Sequence, residues 1–314
     1  MTLSPRTRWK LDRIREQMKG ILLGRREDAR PRLCPACGTL VGSTATRCHQ
    51  CGTSMTFSIA AVSKSLERLM PMTSPVTYAI LTLSCVLYGM SLLLTIRVSG
   101  FQPPTGGLFG LFSLGGINSG ILHRLGASLP LFGFFGQPGN LAQPWRFVTA
   151  VFLHGSLMHI AFNMWVLMDI GPQVEELYGS ARYLFIYVVT GIGGYILSSF
   201  FLHFSVGGSG ALLGLIGVLL ATTTGRRSAS MQMLRSQLIK WLIYIAVMGF
   251  LFSSIDNFAH IGGFATGYLL GRIVVDRPPV APEERKRAYM LGWAAALVVV
   301  ASFAMMVLRN FQAS

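Results

Sequence analysis

Five stretches of this chain run without a formal charge for about as long as a helix needs to cross a bilayer: residues 76–96, 147–168, 183–206, 207–224 and 288–308. A spanning helix takes roughly 20 predominantly apolar residues, because hydrocarbon offers no water to satisfy backbone N–H and C=O groups. Composition agrees, with 52% hydrophobic and 12% charged residues, about half the ~25% charge of a soluble domain. Two shorter runs, 241–255 and 257–271, are separated by Asp256 and lengthened by flanking Leu238, Ile239 and residues 273–275. The pattern predicts seven helices, all-α and polytopic.

Residues 1–33 are basic and polar without an apolar core, so no cleavable signal peptide is expected and the first span acts as the anchor. Lys and Arg set orientation, since positive charge stays on the cytoplasmic side of short loops. Of 27 such residues, 13 precede Val76, one lies between spans two and three, four between four and five, and five between six and seven. That puts 23 on one face; Arg97, Arg124, Arg146 and Arg309 fall on the other or at its border. The prediction is a multi-pass protein of the cell membrane with a cytoplasmic N-terminus. The net charge of +15 therefore reports topology. It is spread over membrane-proximal loops rather than gathered on one soluble fold, so no nucleic-acid partner is expected, and the lipid bilayer is the partner of the basic N-terminal stretch.

Ahead of the first span, Cys34-Pro-Ala-Cys37-Gly38 and Cys48-His-Gln-Cys51-Gly52 form two CxxCG knuckles ten residues apart. Each knuckle brings two thiolates to one point, and four thiolates close a tetrahedral zinc site against water, which makes it structural. Paired disulfides are disfavoured in a reducing cytosol, and a redox CxxC needs no second copy. His49 sits inside a knuckle as a bystander, and Cys85 lies in mid-span as a small apolar residue. Such a ribbon leaves room for a cytoplasmic partner of unspecified kind.

Polar groups inside a bilayer are costly and mark function. His154, His159 and Asn163 lie in the second run, Gly207-Gly208-Ser209-Gly210 separates the third from the fourth, and Ala259-His260 lies in the sixth. His159 and Asn163, at i and i+4, share one helix face. Gly-Gly-Ser-Gly breaks and restarts a helix, which puts Ser209 near a helix N-terminus, where unpaired N–H groups favour negative charge. Gly210, Gly214 and Gly217 can face Gly263, Gly267 and Gly271 at small-xxx-small spacing, bringing the two helices close. Taken singly, such groups often serve packing alone.

Together these residues resemble the rhomboid family of intramembrane serine proteases over residues 76–275. The resemblance rests on Gln143-Pro-Trp145-Arg146, His154-Gly-Ser-Leu-Met-His159-Ile-Ala-Phe-Asn163, Glu175-Glu-Leu-Tyr-Gly179-Ser180-Ala-Arg182, Gly207-Gly-Ser209-Gly-Ala-Leu-Leu-Gly214 and Ala259-His260-Ile-Gly-Gly263-Phe-Ala-Thr-Gly267. It implies Ser209 as nucleophile, His260 as general base, His159 and Asn163 as oxyanion donors, and transmembrane protein substrates cut near the outer side. Trp145-Arg146 would mark a membrane-inserted first loop. Gly208 stands where the family often has Ala, a change expected to loosen the loop.

The expected architecture is thus a six-helix rhomboid core plus a C-terminal seventh helix, preceded by a small cytoplasmic zinc ribbon. The boundaries are 1–30 for a basic segment, 31–55 for the ribbon, 56–75 for a linker, 76–275 for the core, 276–287 for a cytoplasmic loop and 288–314 for the seventh helix and tail. No cofactor is needed for such chemistry beyond structural Zn2+ on Cys34, Cys37, Cys48 and Cys51. No carboxylate is expected to orient His260, and Tyr195 is a candidate neighbour of its ring. The loop 97–144 is apolar enough, at 108–112 and 129–135, to lie in the outer leaflet. The fifth span, with Trp241, Tyr244, Phe250 and Phe252, is the candidate route of substrate entry. A catalytically silent escort of membrane proteins would have lost Ser209 or His260, and a transporter would carry carboxylates along its spans; this chain keeps the first pair and has few of the second.

Overall fold

The computed structural model describes residues 31–34, 38–43, 45–52, 54–55, 74–100, 114–133, 138–201, 204–252 and 254–312. The basic segment 1–30, Cys37, nearly all of the 56–75 linker and the 108–112 apolar stretch lie outside the described residues. The chain divides into two compact units, residues 1–66 and 67–314.

In the first unit, β1 (Arg32–Leu33) pairs antiparallel with β2 (Leu40–Val41). Two turns of the same form follow the cysteines: the Gly38 N–H donates to the Cys34 carbonyl and the Gly52 N–H to the Cys48 carbonyl, each at 2.9 Å. Both glycines take positive φ, 76° and 69°, a conformation that costs a side-chain-bearing residue energy. The glycine after each knuckle therefore serves backbone geometry.

The second unit is helical among its described residues: α1 (Pro75–Ser99), α2 (Ser119–Arg124), α3 (Arg146–Phe152), α4 (Leu157–Tyr178), α5 (Ser180–Ser198), α6 (Ser209–Thr223), α7 (Ala229–Leu251), α8 (Asn257–Ile273) and α9 (Pro282–Gln312). α1, α5, α7 and α9 are each long and apolar enough to cross a membrane, and α3 with α4 forms a fifth candidate span bent by 91°. α6 and α8, at 15 and 17 residues, are shorter. The molecule is a multi-pass integral membrane protein.

α6 is apolar all round and lies at the centre, with 13 of its 15 residues buried against α8, α5 and α4, as expected of a helix hydrophobic on every face. Its contact with α8 is backbone on backbone: a Cβ at Gly263 would collide with the Gly210 carbonyl, and one at Gly267 with that of Gly214. The glycine faces predicted from spacing do meet, except that Gly271 packs on Val218 and Gly217 on Phe264. α1 starts with Pro75 in its first turn, and its N-terminal amides are capped by Glu175 of α4. That carboxylate accepts from the Val76 and Thr77 N–H groups at 2.9 Å and from Thr77 Oγ1 at 2.8 Å. A helix N-terminus, with unpaired N–H groups and a favourable dipole, makes this 3% exposed carboxylate tolerable.

Three boundaries differ from the sequence reading. The uncharged run 147–168 is not one helix: it breaks at 153–156, where Leu153 turns extended and Ser156 Oγ caps α4 by accepting from His159 N. The run 183–206 is helical only to Ser198. α9 begins at Pro282, inside the expected 276–287 loop, because Pro at the start and Glu283 and Glu284 in the first turn suit a helix N-terminus.

Candidate active site

α6 opens at Ser209 after Gly208, so the Ser209 N–H is one of the N-terminal amides without an intrahelical acceptor. α8 is capped by Asp256, whose Oδ1 accepts the Ala259 N–H at 2.8 Å, and His260 follows one turn in. The glycine-lined approach of α6 and α8 puts His260 Nε2 2.8 Å from Ser209 Oγ. That is hydrogen-bond distance between a hydroxyl and an imidazole able to take its proton. His260 is 9% exposed and both side chains border a cavity of about 580 Å³.

His159 and Asn163 border the same cavity. The Gly155 N–H donates to His159 Nδ1 at 3.4 Å, so Nδ1 is the acceptor and Nε2 carries the proton. Nε2 faces the segment before the serine: a Cβ at Gly207 would lie 2.7 Å from it. Gly207 also has a φ of 132°, so this position excludes a side chain on two counts. Asn163 Nδ2 donates one hydrogen to the His159 carbonyl at 2.9 Å, which leaves a second N–H on the same nitrogen. The four residues singled out from sequence thus come together at one cavity.

Tyr195 does not hydrogen-bond the His260 ring. Its hydroxyl donates to the Gly207 carbonyl at 2.8 Å, with the Ala150 carbonyl 3.3 Å away, and the Gly207 N–H donates to Ala150 at 3.0 Å. Tyr195 thereby fixes the strand of backbone that delivers Ser209. His154 lies in the bend between α3 and α4, outside the span to which its sequence position assigned it. It is buried, with its ring edge-on to His159 at 5.2 Å between centroids. Asp256 went unassigned in the sequence reading. It ties α8 to α5 as well, accepting from Ser198 Oγ at 2.5 Å. Its signal was present: an Asp immediately before a helical run, three residues ahead of the amide it caps.

One wall of the cavity comes from the first loop, through Ile117, Ser119 and Leu122, and another from Ile245, Met248 and Phe252 on and after α7. Arg146 organises the loop. Its guanidinium donates to Gln143 Oε1 and to the carbonyls of His123 and Ala127 at 2.9 and 2.8 Å. A buried Arg with carbonyl acceptors on a distant turn is a clamp, which is what Arg146 does here. Gly208 is set by packing: a Cβ there would lie 2.9 Å from the Tyr187 hydroxyl and 3.3 Å from the Val151 carbonyl.

In the first unit, the Sγ atoms of Cys34, Cys48 and Cys51 lie within 4.8 Å of one another, and those of Cys34 and Cys51 are 3.6 Å apart. Three thiols converging from two matched knuckles are a donor set that fits a thiophilic tetrahedral metal.

Comparison with known proteins converges on one family. The family model for the Rhomboid domain matches residues 141–277, so α1, α9 and the cysteine unit fall outside it, and the match is narrower than the motifs suggested. The chain is 36% identical over 167 residues to RHOMBOID-like protein 6, mitochondrial, of Arabidopsis thaliana, covering 48% of this chain and 50% of that one. It is 39% identical over 125 residues to Rhomboid protease GluP of Bacillus subtilis (strain 168), covering 40% and 25%. With the rhomboid relative YdcA of the same bacterium it shares 33% identity over 138 residues, 42% of this chain and 68% of that one. The chain spans half or less of the length of the first two.

Proposed function

This chain belongs to the rhomboid family, and from that premise we propose that it is an intramembrane serine endopeptidase working through a Ser209–His260 dyad. The observation that carries the proposal is the 2.8 Å contact between His260 Nε2 and Ser209 Oγ at a cavity formed among membrane helices. His260 takes the Ser209 proton as Oγ attacks the carbonyl carbon of a peptide bond. It then returns that proton to the leaving amine, and water repeats the cycle on the acyl-enzyme. The tetrahedral oxyanion is met by His159 Nε2–H, the second N–H of Asn163 and the Ser209 amide at the α6 N-terminus. Substrates are transmembrane segments of other proteins, unwound enough to enter from the lipid side.

The N-terminus is cytoplasmic, by the distribution of Lys and Arg. The cysteine unit holds structural zinc through Cys34, Cys48 and Cys51, with Cys37 completing the first pair; bound zinc there would supply folding energy and no chemistry. Protease activity is tested with a labelled single-pass reporter helix and the purified protein in liposomes. Cleavage by wild type that falls to background in Ser209→Ala and His260→Ala supports the dyad. Variants that cut as well as wild type would refute it, and absence of cleavage of any reporter would favour an escort role.

A further inference from the structure

We infer that α9, through Asn310, is a positioning element for the cavity wall, holding α2 where substrate seats against it. α2 is six residues long, too short to persist on its own, yet it supplies Ser119 and Leu122 to the cavity, and Ile117, two residues ahead of it, adds a third group. Its N-terminus is capped locally by Asn118, whose Oδ1 accepts the Gly120 N–H at 2.8 Å. At its C-terminus the carbonyls of Ile121, Leu122 and His123 accept from the N–H groups of Leu125, Ala127 and Gly126. The last carbonyl, Arg124, accepts from Asn310 Nδ2 at 2.9 Å, across 186 residues of sequence.

α9 is itself seated firmly enough to act as a brace. One face, through Ala288, Ala295, Ser302 and Met306, is buried, and Asn310 continues it by one turn. Near the start of α9, Gly292 meets α5 so closely that a Cβ would lie 2.9 Å from Ala181 Cα and Cβ. Further along, the Phe303 ring packs on Phe152 of α3 at 6.0 Å, one residue from Val151. α3 carries Arg146, which grips the His123 and Ala127 carbonyls, so α2 is held from the core side by Arg146 and by Asn310 of α9. Asn310 touches none of Ser209, His260, His159 and Asn163. It acts on where substrate sits and leaves the bond-making groups alone.

The kinetic half of this inference rests on the protease reading; the structural half does not. Full-length protein in liposomes is compared as wild type, Asn310→Leu and Asn310→Gln. Backbone hydrogen exchange in peptides covering 117–127 should quicken about fivefold to tenfold in Asn310→Leu, the factor for losing one net hydrogen bond, and return toward wild type in Asn310→Gln. With a reporter helix, KM should rise by a similar factor while kcat stays within about twofold. Unchanged exchange in 117–127, an increase spread equally over all helices, or a fall in kcat at constant KM would each overturn the inference. A wild-type protein that cuts nothing would count against the protease reading instead, and the exchange result would still decide the role of Asn310.

Discussion

Asp256 decides between a dyad and a triad. Its carboxylate is committed to the Ala259 N–H and to Ser198 Oγ, the work of a helix cap and an interhelix tie. Asp256→Asn keeps a capping oxygen, so kcat should stay within about tenfold of wild type, whereas loss of a true triad Asp costs ~10⁴. Steady-state cleavage of a reporter helix separates the two. On the proposed mechanism, in which its second N–H serves only the charge that develops in the transition state, Asn163→Ala should lower kcat by ~10² to 10³ with little change in KM. Residues of this kind were legible in the sequence wherever a local pattern carried them: the helix-breaking glycines around Ser209 and the i, i+4 pair of His159 and Asn163. Tyr195 was not legible as a support for Gly207, because the acceptors it finds, Gly207 and Ala150, are set by tertiary contact.

At the scale of elements, the packing of α6 on α8 carries the site, since Ser209 and His260 sit near the beginnings of those two helices. Gly267 packs directly on the Gly214 backbone, which cannot yield as a flexible side chain does. Gly267→Leu should destabilise the protein by about 1–3 kcal/mol or more, measurable as loss of folded protein on heating in detergent. The sequence carried this contact through glycine spacing. It did not carry the break between α3 and α4, because residues 147–168 are uncharged throughout and only Gly155-Ser156 marks the bend. Hydropathy reports solvent, and the bend is made by a side-chain cap on His159 N that hydropathy does not see. Glu175 is similar. In the sequence it stands as the first residue of the 175–182 motif, and in the fold it is the cap of α1; Glu175→Ala should cost about 3 kcal/mol by leaving the Val76 and Thr77 amides unpaired, readable in the same heating experiment.

For the molecule as a whole, the polytopic all-α architecture was readable from uncharged runs, and family membership from the motifs. The cysteine unit was readable from knuckle spacing. Metal analysis of the purified chain should find about one zinc per chain, falling severalfold in Cys48→Ser, which removes one of the four proposed ligands. The part that α9 plays was hidden, because an apolar helix reads alike whether it only anchors or also braces a loop; the difference lies in Asn310, at its far end. The proposed chemistry stands on Ser209 as a nucleophile activated by His260. Its most direct test is to treat the reconstituted protein with a fluorophosphonate and map the adduct by peptide mass spectrometry. A single adduct on the peptide carrying Ser209, absent in Ser209→Ala and slowed by at least about a hundredfold in His260→Ala, is the predicted result. An adduct on another residue, or equal labelling of Ser209 without His260, would contradict it.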